Sequence, residues 1–137
     1  MIGGGQTGLA TGYDLVQRRI DFVILERGSR LGDSWRPRWD PLRLSTPASY
    51  DGLPGLPFHS EAGTYPTKDE MAEYVEKYAE RFRLPVRFGA NVLAFTRNAR
   101  GQFVVECADR RIVADQVIVA TSSAPLNALF LLSWQLR

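Results

Sequence analysis

The chain has 137 residues, 45% of them hydrophobic and 23% charged, the size and balance of one globular domain rather than two. Its formal net charge of +2 comes from Arg and Lys scattered among Asp and Glu, without the basic run interleaved with aromatics that tracks a nucleic-acid backbone. Cys107 is the one cysteine, which excludes an intrachain disulfide, a thiolate metal cluster and a redox-active cysteine pair within this chain.

The opening "MIGGGQTGLATG" satisfies G-x-G-x-x-G at Gly3, Gly5 and Gly8. The three glycines serve different ends, namely a tight turn, close approach of backbone to a pyrophosphate, and close packing of helix on strand. From Gln6 to about Arg19 the apolar residues Leu9, Tyr13, Val16 and Ile20 recur at helical spacing, so a helix N-terminus faces the phosphate position. Gly12 on that helix reads equally well as a packing site or a tolerated glycine. "DFVILE" follows as a short, fully buried strand, completing a βαβ unit. Glu26 ends it, about 20 residues past the glycines, where a carboxylate accepts hydrogen bonds from an adenosine ribose. A carboxylate there repels a 2′-phosphate, so the site favours FAD or NAD over NADP, and only Arg27 folded over the ribose would relax that. A solvated strand end is the plainer reading of Glu26.

Residues 27 to about 67 are rich in Gly, Pro, Ser and Arg and follow neither period, and a loop that long in a compact domain is usually functional. Arg36, Arg38 and Arg43 in it read as solvated. His59, the only histidine, has no second ligand beside it, and Asp40 and Asp51 have no neighbour that marks them as acid or base. "TKDE" is a capping box, with Thr67 as N-cap and Glu70 reaching back, so a helix starts there. Met71, Tyr74, Val75, Tyr78 and Phe82 form its core stripe, and Glu73 pairs with Lys77 on the other face. After Pro85 come "VRFG" as one strand, then "NVLAFTRN", "QFVVECA" and "RIVA" as a small antiparallel meander turned at "NARG" and "ADR". The alternation of Phe103, Val105 and Cys107 puts the cysteine in the core. "DQVIVAT" is a near-continuous apolar run, the pattern of a parallel strand covered on both faces.

Met1 leads straight into the glycines with no basic and then apolar leader, so a soluble cytoplasmic protein with no membrane partner is expected. The final "LNALFLLSWQLR" is apolar but too short to span a bilayer. The expected organisation is a partial dinucleotide-binding domain over 1–124 and an atypical apolar tail over 125–137. The fold class is α/β: a Rossmann-like domain with a central parallel sheet and a small antiparallel meander, incomplete at both ends.

The ordered set "LERGSRLGDSW", "RWDPLRLSTPASYDGLPGLPF", "TYPTKDEMAEYVEKYAERF" and "DQVIVATSS" resembles the flavin-containing monooxygenases, nearest to the bacterial and plant auxin-synthesis branch. The resemblance implies that Gly3, Gly5, Gln6, Thr7, Gly8, Glu26 and Arg27 bind the adenosine and pyrophosphate of FAD. It places Gly32, Ser34 and Trp35 along the flavin and Ser45 and Thr46 near its ring system, with Val92, Ala120 and Thr121 completing the cofactor contacts. Trp35 reads otherwise as a buried loop anchor, and Ser45 with Thr46 as an ordinary polar loop. In the family an A-T-G turn follows the last strand and leads to an NADPH domain. Here Ser122 replaces that glycine, and no NADPH site is visible. The resemblance implies NADPH-driven reduction of FAD and oxygen insertion into a small-molecule substrate, with catalytic residues unknown. Two further readings stay open: a non-catalytic remnant that binds a dinucleotide weakly or not at all, and another flavoprotein with two dinucleotide sites. The lone Cys107 disfavours a disulfide reductase, and the Trp35 segment with the meander disfavours a nicotinamide-only dehydrogenase.

Overall fold

A computed structural model gives the fold and describes residues 1–61 and 63–121. Helix α1 spans Gln6–Gln17 and strand β1 Ile24–Leu25; helix α2 spans Lys68–Arg81; strands β2 to β5 are Val86–Arg87, Val92–Arg97, Phe103–Cys107 and Arg111–Ala114. The βαβ unit is built as the sequence predicts. Strand β1 pairs in parallel with β2 on one side and with Ile2 on the other, and Ile2 bridges in parallel to Val119. Four chain segments thus lie side by side, with Ile2 and β1 in the middle.

Alternation along β1 sets the layers. Ile24 joins Leu9, Leu31, Met71, Tyr74, Val75, Tyr78 and Leu84 in a helical core, whereas Leu25 joins Ile2, Ala90, Val105 and Cys107 in a second core against the meander. Successive side chains of a strand point to opposite faces, so two residues suffice to found both layers. The meander β3-β4-β5 is antiparallel throughout. Its first turn is tied by the Asn98 side-chain carbonyl, which accepts from the amides of Arg100 and Gln102. Cys107 is buried as its alternation predicts, and burial pushes its thiol pKa up.

Helix α2 begins as its sequence dictates. Thr67 accepts from the Glu70 amide at 3.2 Å, and Glu70 accepts from the Thr67 amide at 2.7 Å, satisfying two amides that a helix start leaves open. The hydrogen bonds from Thr67 hold the Glu70 carboxyl below its ordinary range. Thr67→Ala is expected to cost about 1 kcal/mol, the usual value of a lost cap, measured by urea denaturation. Because the folded-state pKa of Glu70 is depressed, its contribution is full above the unfolded carboxylate pKa and fades as pH falls through the folded value. The variant's deficit should therefore narrow on acidification. The Glu73–Lys77 pair forms at 3.4 Å on the exposed face.

Three expectations are corrected. Helix α1 ends at Gln17, short of Arg19, which takes a left-handed conformation with φ 57°, and Ile20 is exposed. The strand predicted for "DFVILE" pairs only at Ile24 and Leu25, with Asp21 exposed. "DQVIVAT" contributes a single bridge at Val119 instead of a strand covered on both faces, and Ile118 and Val119 are 39% and 44% exposed. The reason is local: Val119 has Ile2 as its one described pairing partner, and the meander core reaches only Val117 of this segment. Ser122 and the tail over 125–137 lie outside the described residues.

Candidate functional site

The glycine turn crosses from Ile2 to α1 over the carboxyl end of β1. Gly3 has φ +103°, and a Cβ there would lie 2.5 Å from the Ala120 carbonyl oxygen; a Cβ on Gly8 would collide with the Gly3 carbonyl oxygen. Both glycines are required by the fold itself. Gly5 differs: its φ is −77° and nothing among the described residues lies within 4 Å of where a Cβ would be. The bare backbone there opens on space outside the protein, as close approach of a phosphate demands. Gly12 is settled as a packing site, because a Cβ on it would meet Ile24 at 3.1 Å and Phe22 at 3.3 Å.

Among the described residues helix α1 has no side-chain cap, its first turn carries no acidic residue, and its first i to i−4 bond is Leu9 N–H to Gly5 O at 2.9 Å. The amides of Gln6 and Thr7, ahead of that bond, stay available to an anion. Glu26 sits beside this turn as predicted, and its carboxylate is already in use. One oxygen accepts from the Gly4 amide and the other from the Gly28 amide, each at 2.8 Å. A carboxylate offers about four acceptor positions, so Glu26 braces the turn and keeps capacity for a further donor. Ala90 N–H donates to Glu26 O at 2.9 Å, bringing the start of β3 to the same place. Val92 itself packs into the meander core. Arg27 is exposed, and Ala120 donates its amide to Ile2 O at 2.8 Å. Thr121 is exposed beside it.

A cleft of about 360 Å³ begins at Gln6 and is lined by Trp35, Arg38, Arg43, Ser45, Thr46 and Asp51, among others. Four of the residues predicted for one cofactor, from separate stretches of chain, meet there. Gly32, at φ +78° with Ala72 2.8 Å from a notional Cβ, seats the loop on α2, and its carbonyl accepts from the amides of Trp35 and Arg36. Ser34 is exposed and gives its carbonyl to Arg38 Nε at 3.0 Å.

Arg38 and Arg43 are exposed, as expected, while making contacts of their own, and only Arg36 departs from the solvated reading. The Arg38 guanidinium stacks over Trp35 at 4.7 Å, and Arg43 donates to Tyr65 O at 2.8 Å. Arg36 is drawn inward, with Glu76 of α2 at 2.8 Å and Asp33 at 3.3 Å. Asp40 and Asp51 gain partners that the sequence hides: Lys68 meets Asp40 at 2.9 Å, and the Thr46 hydroxyl donates to Asp51 Oδ1. Asp51 is 8% exposed, and its Oδ2 has no hydrogen-bond partner among the described residues. A five-residue spacing in a loop carries no periodic signal, so only the fold reveals the pair.

A second cleft of about 380 Å³, along the C-terminal half of α2, is lined by Arg30, Glu76, Glu80, Arg83 and Phe88 among others. Among the described residues it holds no buried side-chain polar atom lacking a partner. His59 is exposed, and among the described residues no three His, Cys, Asp or Glu side chains come together as metal ligands. No described helix is long and apolar enough to cross a membrane.

Residues 1–123 match the model of the pyridine nucleotide-disulphide oxidoreductase family. A CzcO-like uncharacterised oxidoreductase of Geobacillus kaustophilus is 41% identical over 121 residues, 88% of this chain and 34% of the relative. An indole-3-pyruvate monooxygenase of Oryza sativa, YUCCA1, is 41% identical over 93 residues, 67% of this chain and 23% of that protein. Among solved structures, the flavin-containing monooxygenase of Stenotrophomonas maltophilia superposes with a TM-score of 0.78 at 32% identity, over 83% of this chain and 34% of that one. The chain thus spans about a third of the length of the first of these relatives.

Proposed function

The chain belongs to the pyridine nucleotide-disulphide oxidoreductase family, and on that basis we propose that it is the FAD-binding portion of a flavin-dependent monooxygenase or related oxidoreductase that uses NAD(P)H. One observation carries the reading: Gln6, in the first turn of α1, opens onto the same cleft as Trp35, Ser45 and Thr46. An elongated ligand with phosphates at the glycine turn and a flat ring system in the cleft matches that layout. The open space at Gly5 and the uncapped start of α1 supply the cradle for its charged centre.

The roles follow from the chain's own groups. The amides of Gln6 and Thr7 hold the pyrophosphate with the α1 dipole behind them. Glu26, braced by Gly4 and Gly28, presents its remaining lone pairs to ribose hydroxyls. Trp35, stacked with Arg38, gives the cleft an aromatic side chain for a flat ring to pack against. Bound FAD supplies the redox chemistry, and the protein supplies position and exclusion of water. NAD(P)H use and the substrate belong to the longer proteins that the relatives represent and come to this chain as part of the proposal. Thiol–disulfide exchange is disfavoured for this chain because its one cysteine is buried with a raised pKa, and the thiolate is the reactive form.

Titration of the purified chain with FAD, followed by the visible flavin absorbance and the quenching of flavin fluorescence, should show saturable binding at one site per chain. A protein that stays colourless and leaves flavin fluorescence unchanged would favour the non-catalytic remnant instead.

A further inference from the structure

The buried carboxylate of Asp51 has no place in the roles above. It lines the cleft, is 8% exposed, accepts a hydrogen bond from the Thr46 hydroxyl on Oδ1, and has no partner for Oδ2 among the described residues. Its position is imposed by the fold. The Asp51 amide donates to Ala48 O at 3.2 Å at the end of the Ala48–Tyr50 turn. Two residues on, the Leu53 amide donates to the Tyr74 hydroxyl of α2 at 2.6 Å. A buried polar oxygen without a partner is costly, and among the described residues the Thr46 hydroxyl is the side-chain donor that reaches this carboxyl group.

The consequence falls on Thr46. A hydroxyl has one proton and two lone pairs. With the proton committed to Asp51, Thr46 Oγ1 can act toward a ligand only as an acceptor. Arg38 and Arg43, both exposed, line the same cleft as donors, each with one bond to a backbone carbonyl. The cleft therefore offers an acceptor among donors beside an aromatic side chain.

We propose that Asp51 is a positioning residue that locks Thr46 as a hydrogen-bond acceptor, so that the cleft selects flat heterocycles carrying a ring N–H between two carbonyl groups. This rests on the FAD reading, because the oxidised isoalloxazine presents one such edge, the N3–H imide. Asp51 acts through Thr46 and does not itself touch the ring.

The test compares binding of FAD and N3-methyl-FAD to the chain and to the variants Asp51→Asn, Thr46→Val and Thr46→Ser, with folding checked by circular dichroism. One neutral hydrogen bond corresponds to about a tenfold preference at most, so the chain should bind FAD about five- to tenfold more tightly than its N3-methyl analogue. Thr46→Val should abolish that preference, Asp51→Asn should weaken it by freeing the Thr46 proton, and Thr46→Ser should retain it. Combining Asp51→Asn with Thr46→Val should give no further loss of preference than Thr46→Val alone. Equal binding of both flavins by the parent chain, or a preference that survives Thr46→Val or Asp51→Asn while overall affinity drops, overturns the proposal and leaves the FAD reading standing. Failure of the parent chain to bind either flavin overturns the FAD reading and this proposal with it.

Discussion

Gly8→Ala should abolish stable folding, while Gly5→Ala, three residues earlier in the same motif, should melt with the parent chain and lose affinity for FAD. The added Cβ at position 8 would run into the Gly3 carbonyl oxygen. That is a clash with backbone at the join between Ile2 and α1, where no side-chain rotation can relieve it. Moving α1 away would separate Leu9, which is fully buried, from Ile24 and the rest of the helical core. An overlap of this kind costs on the order of 4 kcal/mol or more, comparable to the whole stability of a small domain. At Gly5 the backbone conformation suits any residue and the space is open, so only a ligand can object to the methyl group. Thermal melts with and without FAD separate the two effects. Equal melting of all three proteins, or a folding defect in Gly5→Ala, would refute the division of labour within the motif.

Tyr78→Ala should be the most damaging single change in α2. Its ring is fully buried and packs against Phe82 at 4.9 Å and Tyr74 at 6.1 Å between centroids, with Tyr13 of α1 at 6.4 Å. Its hydroxyl donates to Pro54 O at 2.7 Å, and burial, with Tyr74, Tyr13 and Asp14 nearby, drives its pKa well above the ordinary phenol value. Truncating a buried aromatic to Ala costs about 3–5 kcal/mol. Tyr78→Phe keeps the packing but leaves the Pro54 carbonyl without its donor, for about 1 kcal/mol. Urea denaturation should rank the parent chain most stable, Tyr78→Phe next and Tyr78→Ala last. The effect should reach the cleft as well, because Tyr74 and Tyr78 together hold residues 53–56, which follow Asp51. Tyr78→Phe should therefore weaken FAD binding, whereas an exposed substitution on the same helix, such as Glu73→Gln, should leave it unchanged.

Much of this architecture is legible in the sequence because it rests on local rules. The spacing of Gly3, Gly5 and Gly8, the Thr67–Glu70 capping box, the stripe from Met71 to Phe82 and the alternation of Phe103, Val105 and Cys107 each follow from backbone geometry over a few residues. Those elements form where they are expected. The site is legible in outline too: Glu26 lies at the glycine turn, and Gln6, Trp35, Ser45 and Thr46 share one cleft.

Local pattern in the chain dictates the order and type of its elements and the chemistry at the glycine turn. Long-range packing dictates the rest. It gives Glu26 two backbone amides to hold, and it pulls Arg36 inward to Glu76. It pairs Lys68 with Asp40 and buries Asp51 behind Thr46. It also leaves Ile118 and Val119 half-exposed where their composition alone reads as core. One cause underlies all of these. Helix caps and strand alternation depend on neighbours in sequence, whereas the partner of a loop side chain is set by whichever distant segment packs beside it, and nothing periodic in the loop from residue 27 to 67 encodes that choice.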